Sequence, residues 1–434
     1  MLLGLSAWGW IALFRNAPRG RSAALLVVAA ICARLWAVTL APAWSEDVFR
    51  FVYEGRVALL RGPMFPFVHA PAEAPFLDLP PELLDAAWLR INHAAIPTLY
   101  PPLTQAVLVL GVLLGGLIPL KLALVLAELA ACAVVAKISR PAALAMLACP
   151  LAISEIAREG HAESLVMLGI AIGAAYWGRP RLSALGFAIA ALAKLVGAIP
   201  LVLVARAAPR RAWPALILAA AAFAPYALGS SAGLELYAES WRSGDGAFAL
   251  ISAATEAVMG GTWARVGEDT ITRDAVARAV VAVVFAALFA LRLRKRPGIE
   301  DAALVLLLLL LLSPTLHPWY ALWLLPFAVL VPRWAPPMLW LIAAAPLLHH
   351  PGWLALEDGV WRELPGLLAL VHLPAWALLL AIVVRAPRSS RPRRPKIVVR
   401  ARRSSRPRRP KDGMVAQCLS RPPPSSPSTR DASS

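Results

Sequence analysis

Two short clusters in this 434-residue chain combine side chains that can move protons and hold anions: Glu46, Asp47 and Arg50, then Glu155, Arg158, His161 and Glu163. Lys194 stands alone between ALA and LVGAIP, and His317 lies in SPTLHPWY ahead of Tyr320. A carboxylate near an arginine stays ionised and can act as a base. An ammonium inside an apolar run needs an anionic partner or a wet cavity. Acids, imidazoles and this lysine meeting on one face would make a site for proton transfer and anion binding. Plainer explanations stand beside this one, with Glu46 and Asp47 as solvated loop carboxylates and His161 and His317 as interfacial rings bonded to backbone.

The surroundings of these residues are apolar. With 59% hydrophobic and 16% charged residues, and apolar runs over most of the length, the chain reads as a membrane protein. A bilayer offers no water to backbone groups, so the runs must be helices. The expected fold is all-α, a polytopic transmembrane bundle of about 12 spans, some of them short or re-entrant. The net charge of +18 is uneven: residues 385–434 hold 15 Lys/Arg against two Asp, or +13, leaving +5 for the rest. That excludes a basic nucleic-acid-binding body. Cys32, Cys132, Cys149 and Cys418 lie far apart without ligand spacing, so neither a metal knuckle nor a disulfide framework is expected.

Residues 1–384 are expected to form the membrane domain. The run from Met1 to Phe14 is short for a span, and its arginines follow it where a signal peptide would have them before it. Ala23 to Trp44 is long enough to cross, with Arg34 either snorkelling or making a contact inside the bundle. It delivers an outer first loop, residues 45–118, which between Ser45 and Pro101 carries seven carboxylates against four arginines. Leu103 to Leu117 is Gly-rich and reads as a juxtamembrane helix, and Ile118 to Ala136 as a crossing. Leu182 to Ala205 must leave and return, which makes it a hairpin turning near Lys194. Later crossings are expected at Ala212–Leu228, Ala275–Leu291, Asp301–Leu312, Trp319–Val331, Met338–Leu348 and Leu367–Val384. The inner loops so defined carry 15 Lys/Arg against one carboxylate, Glu300, which puts the acidic loop outside and the C-terminus inside. In the tail, Val383–Ile397 recurs as Val398–Asp412 with 13 of 15 positions identical. Such Arg/Pro/Ser-rich sequence cannot build a core and is expected to be disordered. It is read as a bare duplication or as a polybasic patch on anionic lipids.

The motifs DVFRFVYEGRV (Asp47–Val57), RIN (Arg90–Asn92), YPP (Tyr100–Pro102), Glu155-x4-Gly-His-x-Glu163, ALAK (Ala191–Lys194) and SPxxHPWY (Ser313–Tyr320) together resemble bacterial polytopic glycosyltransferases of the GT-C superfamily. The nearest group is the mannosyltransferase-like one that uses polyprenyl-phosphate sugars. The chain departs from the pattern at Phe51, where Tyr is usual, at Tyr53-Glu54 in place of Trp-Asp, at Phe65 in place of Asn, at Phe67 in place of Tyr, and at Glu163 in place of Asp. The resemblance implies transfer of a hexose, expected to be mannose, to a lipid or glycan acceptor on the outer face of a bacterial inner membrane. It implies Asp47 as base with Glu46 as competitor, and a donor and phosphate site drawn from Arg50, Lys194, His161, Glu163, Glu155, His317 and Tyr320. A sugar on a lipid phosphate already carries its leaving group, so no nucleotide-binding fold or Gly-rich phosphate loop is required; no cofactor is expected, and the sequence leaves a divalent metal open. The partners are then the lipid-linked sugar, its acceptor and membrane lipids, with no nucleic acid. Competing readings are a lipid-linked glycan ligase or flippase, or a secondary transporter with Lys194 and Glu128 as midplane charges.

Overall fold

The computed structural model describes residues 9–12, 18–227, 232–259, 264–266, 269–271 and 273–385. Most of Met1–Phe14, and all of the repeated tail beyond Arg385, lie outside them. The described chain is helical except for loops and one antiparallel hairpin, Ala264–Val266 with Asp269–Ile271.

Five helices are long and apolar enough to cross a membrane: Arg21–Thr39, Leu117–Ala136, Asp274–Leu293, Pro332–Glu357 and Pro365–Arg385. A sixth arises if Arg140–Leu147 and Pro150–Arg158, bent by 49°, form one broken span. Among the described residues the helices thus support five or six crossings, and a bundle of about 12 is not confirmed. Some apolar helices are too short at ~1.5 Å per residue for a ~30 Å core: Glu163–Ala175 has 13 residues, and Ile299–Leu312, which covers the crossing expected at Asp301–Leu312, has 14. The latter is apolar on all sides and almost wholly buried. It is the centre of the bundle, and a run of leucines alone cannot distinguish such a helix from a lipid-facing one. Trp319–Val331 divides into a 3₁₀ segment, Pro318–Leu324, and the short helix Leu325–Leu330.

Close packing explains the small residues. Glycines on Glu163–Ala175 and Pro180–Ala193 face each other, and a Cβ on Gly169 or Gly186 would strike the partner backbone. Such contact lets two helices approach without a side chain between them. At Ala193 the second helix stops. Lys194 is extended (φ −158°, ψ 136°), a 3₁₀ turn covers Leu195–Gly197, and Gly197 lies on Ala190 and Ala191 so closely that any Cβ would overlap them. The chain reverses at Lys194, as the sequence led us to expect.

Two buried charges of the bundle are held by hydrogen bonds. Arg34 is buried and binds Glu128 with Nε 2.8 Å from Oε2 and a second bond to Oε1, while its NH1 returns to the Ala30 carbonyl. Lys121 Nζ donates to the Leu40 carbonyl at 2.9 Å, just past the end of the Arg21–Thr39 helix.

The first loop is folded. Its helix Asp47–Arg61 lies on Pro102–Leu113, where a Cβ on Gly55 would come within 2.6 Å of the Leu108 carbonyl. Three short 3₁₀ turns between residues 71 and 90 close over Tyr53, Val57, Ala74, Leu83 and Ile91 as a small second core. Arg50 fixes the return strand of the loop: its guanidinium donates to the carbonyls of Asn92 (3.2 Å), His93 (2.6 Å) and Ile96 (3.0 Å) and pairs with Glu54 at 3.3 Å. Glu54 in turn accepts from Thr98 (2.7 Å) and Gln105 (2.8 Å). Burial raises its pKa against the opposing pull of these donors.

Candidate functional site

A cavity of about 980 Å³ opens where the first loop meets the bundle, and Glu46, Asp47, Arg50, His161, Glu163, Lys194, His317 and Tyr320 all line it. Glu155 lies directly behind, bonded to a lining histidine. The candidate residues are thus gathered from segments that are far apart in sequence.

Asp47 opens its helix, and that is a local consequence of sequence. Ser45 Oγ accepts the Asp47 amide hydrogen at 3.2 Å, and an acid in the first turn favours the helix dipole. The approach to Asp47 is tied down from elsewhere. Glu159, fully buried, accepts the successive backbone N–H groups of Ala43, Trp44 and Ser45 at 3.0, 2.9 and 3.1 Å on Oε2. Glu159 follows a π-helical turn, Ile153–Arg158, and precedes Gly160, whose φ is 79°. A Cβ there would sit 2.8 Å from Val48 Cγ2, so the sharp bend that brings His161 to Asp47 needs glycine. Widened turns of this kind recur at functional sites.

Around the Asp47 carboxylate, Asn92 Nδ2 donates to Oδ1 at 2.9 Å and His161 Nε2 lies 3.8 Å from Oδ2. Burial works to raise the Asp47 pKa, but the His161 charge, the Asn92 amide and the Lys194 ammonium outweigh it and hold the group below the usual carboxylate value. Glu46 differs. It is about half exposed and faces Arg90 at 3.5 Å. Arg90 also covers the Phe49 ring at 4.1 Å.

On the far side, Lys194 Nζ donates to Glu163 Oε1 at 2.7 Å and lies 4.3 Å above the Tyr320 ring. Tyr320 shares a hydrogen bond of 2.9 Å with the Tyr237 hydroxyl. Between the two halves stands Trp319, with His161 stacked on it at 3.8 Å and His317 at 4.6 Å. Burial drives the His317 pKa from 6.5 down to about 3, with Lys194 and His161 adding to the effect against the attraction of Asp47. His317 is therefore neutral in the fold. An unfolded chain takes up a proton there below about 6.5, so folding stability attributable to this residue should fall as pH drops from 6.5 toward 3. Unfolding midpoints of His317→Gln measured across that interval should decline less steeply than those of the parent, and equal slopes would refute the assignment.

Several contributors escaped sequence reasoning. Asn92 was visible within RIN without a role, and Glu159 was hidden inside the Glu155–Glu163 motif. His349, at the end of the 3₁₀ turn Ala345–His349, binds Glu155 Oε1 through Nε2 at 2.9 Å. A bridge between Ser243 and Thr315 sets Trp241 and Arg242 on the cavity rim, and Gly244 N–H donates to Glu363 at 2.6 Å behind it. Arg50, expected at a phosphate, is instead committed to Glu54 and three carbonyls, and we assign it to holding the loop. Among the described residues no group of three or more His, Cys, Asp or Glu side chains is arranged to hold a metal ion.

What remains is a carboxylate poised to accept a proton, an ammonium across the same cavity, and aromatic walls between them. No family model matches the sequence, and no curated protein or solved structure matches it either.

Proposed function

We propose that this protein is an integral-membrane glycosyltransferase that moves a hexose from a polyprenyl phosphate to a lipid or glycan acceptor at the outer membrane face. The observation that carries the reading is the ionised Asp47 carboxylate on the wall of a cavity of about 980 Å³ that also exposes Lys194. In this scheme Asp47 takes the proton of an acceptor hydroxyl as its oxygen bonds to the anomeric carbon. The bond from that carbon to the phosphate oxygen breaks, and its electron pair leaves with the phosphate. A single displacement of this kind inverts the anomeric centre.

The departing phosphate gathers negative charge and needs a cation in a poorly hydrated pocket. Lys194 has three N–H donors and gives one to Glu163, so it can serve a phosphate as well. Lys194→Met should abolish donor binding, whereas Lys194→Arg should keep part of it, as read by retention of radiolabelled polyprenyl-phosphate sugar on the purified protein. Equal donor affinity in the parent and Lys194→Met would return the lysine to a structural role. The transporter reading is weakened by the pairing of Glu128 with Arg34, which leaves Lys194 a different partner and no shared midplane pair.

The deciding experiment is transfer itself. Sealed right-side-out vesicles containing the protein, given a lipid-linked hexose and an impermeant acceptor, should form the glycoside, with the sugar identified by mass spectrometry of lipid that co-purifies. Product in inverted vesicles alone would reverse the orientation inferred from the basic loops. Absence of product with every lipid-linked hexose tried, in both orientations, would reject the reading.

A further inference from the structure

Behind the Asp47 carboxylate runs a buried line of alternating acids and imidazoles. His161 Nε2 is 3.8 Å from Asp47 Oδ2, His161 Nδ1 is 3.2 Å from Glu155 Oε2, and Glu155 Oε1 is 2.9 Å from His349 Nε2. Glu155, His161 and His349 are all buried. Three segments distant in sequence supply these groups, those of Asp47, of Glu155 with His161, and of His349, and Glu155 sits buried in the π-helical turn Ile153–Arg158. Neither nitrogen of His161 nor Glu155 Oε2 makes an aligned hydrogen bond. Buried polar atoms without aligned partners are costly unless charge holds the groups together.

We propose that Glu155 and His349 are positioning residues, holding His161 as an imidazolium that fixes the orientation and charge of Asp47. This rests on Asp47 being the base of the proposed transfer. Glu155 is thereby moved from the substrate to the layer behind it. The groups that face His161 account for the charge it carries. Asp47, Glu155 and Glu163 attract a proton to it, while Lys194, His349 and the neutral His317 beyond Trp319 do not. Burial works against a charged His161, and the three carboxylates outweigh it, so its pKa stands above the usual imidazole value. His161 in turn helps to keep Asp47 ionised. Trp319, stacked on the His161 ring at 3.8 Å, adds an aromatic face that favours the cationic form.

Two pH profiles on purified full-length protein test this. Glu155→Gln removes the charge that holds His161 protonated, so Asp47 loses its cation and the acidic limb of kcat/KM should move up by about one pH unit, with about tenfold less transfer below the limb and recovery at alkaline pH. His349→Gln, which leaves Glu155 in place, should move the limb the same way by less. An unmoved limb with transfer reduced at every pH would show a purely structural role and overturn the proposal. The second profile needs no substrate. Because the folded pKa of His161 is raised, its contribution to stability is full below the unfolded value and is lost as pH rises through the folded one. The unfolding midpoint of the parent should therefore decline on the alkaline side, and Glu155→Gln should flatten that decline. Loss of transfer in the parent with the flattening retained would sink the glycosyltransferase reading alone. An alkaline decline identical in the parent, Glu155→Gln and His349→Gln would sink this one.

Discussion

Asp47→Asn should lower sugar transfer by about 10²- to 10⁴-fold with folding and donor binding retained. The substitution keeps the size of the side chain, and its amide oxygen can still accept from Asn92, which donates to Asp47 Oδ1 at 2.9 Å. What disappears is the basic oxygen. Glu46→Gln should cost far less, since Glu46 is half exposed and paired with Arg90 at 3.5 Å while Asp47 is aimed at His161 and Asn92. Adjacent residues at a helix start point about 100° apart, so one of the two faces the bound sugar. Turnover at saturating donor, measured beside donor retention, separates the cases. Near-parent transfer by Asp47→Asn with an inactive Glu46→Gln would move the base one residue back, and activity in both would remove it from this loop.

The largest loss of stability should come from Arg34→Met. Arg34 and Glu128 are both buried and joined by two hydrogen bonds, and removing one partner leaves an uncompensated charge that costs about 3–5 kcal/mol. Replacing both, Arg34→Met with Glu128→Leu, should recover most of that loss, because an ion pair of this kind contributes little beyond what apolar packing does. Thermal unfolding in detergent micelles reads both variants and their coupling. If the double variant is as unstable as the sum of the singles, the two side chains do not depend on one another.

Arg34 shows how far the sequence can be read and where it stops. A charge within an apolar run announces that it must find a partner or reach the interface, yet Glu128 is known as that partner only once two helices cross. The chain reversal at Lys194 was legible because a cation interrupts an apolar run there, whereas the helix Asp47–Arg61 lay inside a stretch read only as an acidic loop. The number of spans was not legible. Apolar length counts Ile299–Leu312 as a crossing, although all-round burial makes it the centre of the bundle. Pro, Gly and the π-helical turn cut other runs short of the bilayer thickness. Arg50 was misjudged for a related reason, since its carbonyl partners at residues 92, 93 and 96 depend on the path of a loop that no periodicity encodes. Residue types pointed to the site; its supports, whether Glu159 on backbone amides or Asn92 and His349 on side chains, pair residues far apart in the chain, which leaves no pattern in the sequence.

The fastening of residues 43–45 to Glu159 has a mechanical consequence. A span longer or shorter than the surrounding hydrocarbon accommodates by tilting, and Arg21–Thr39 leads straight into the segment that carries Asp47. Were that connection slack, each change in lipid composition would shift the carboxylate relative to His161. With three successive amides held on one buried carboxylate two residues before His161, the acid and the imidazole travel as one piece. Bilayer thickness can then alter how substrate reaches the cavity while the spacing between these two groups is preserved.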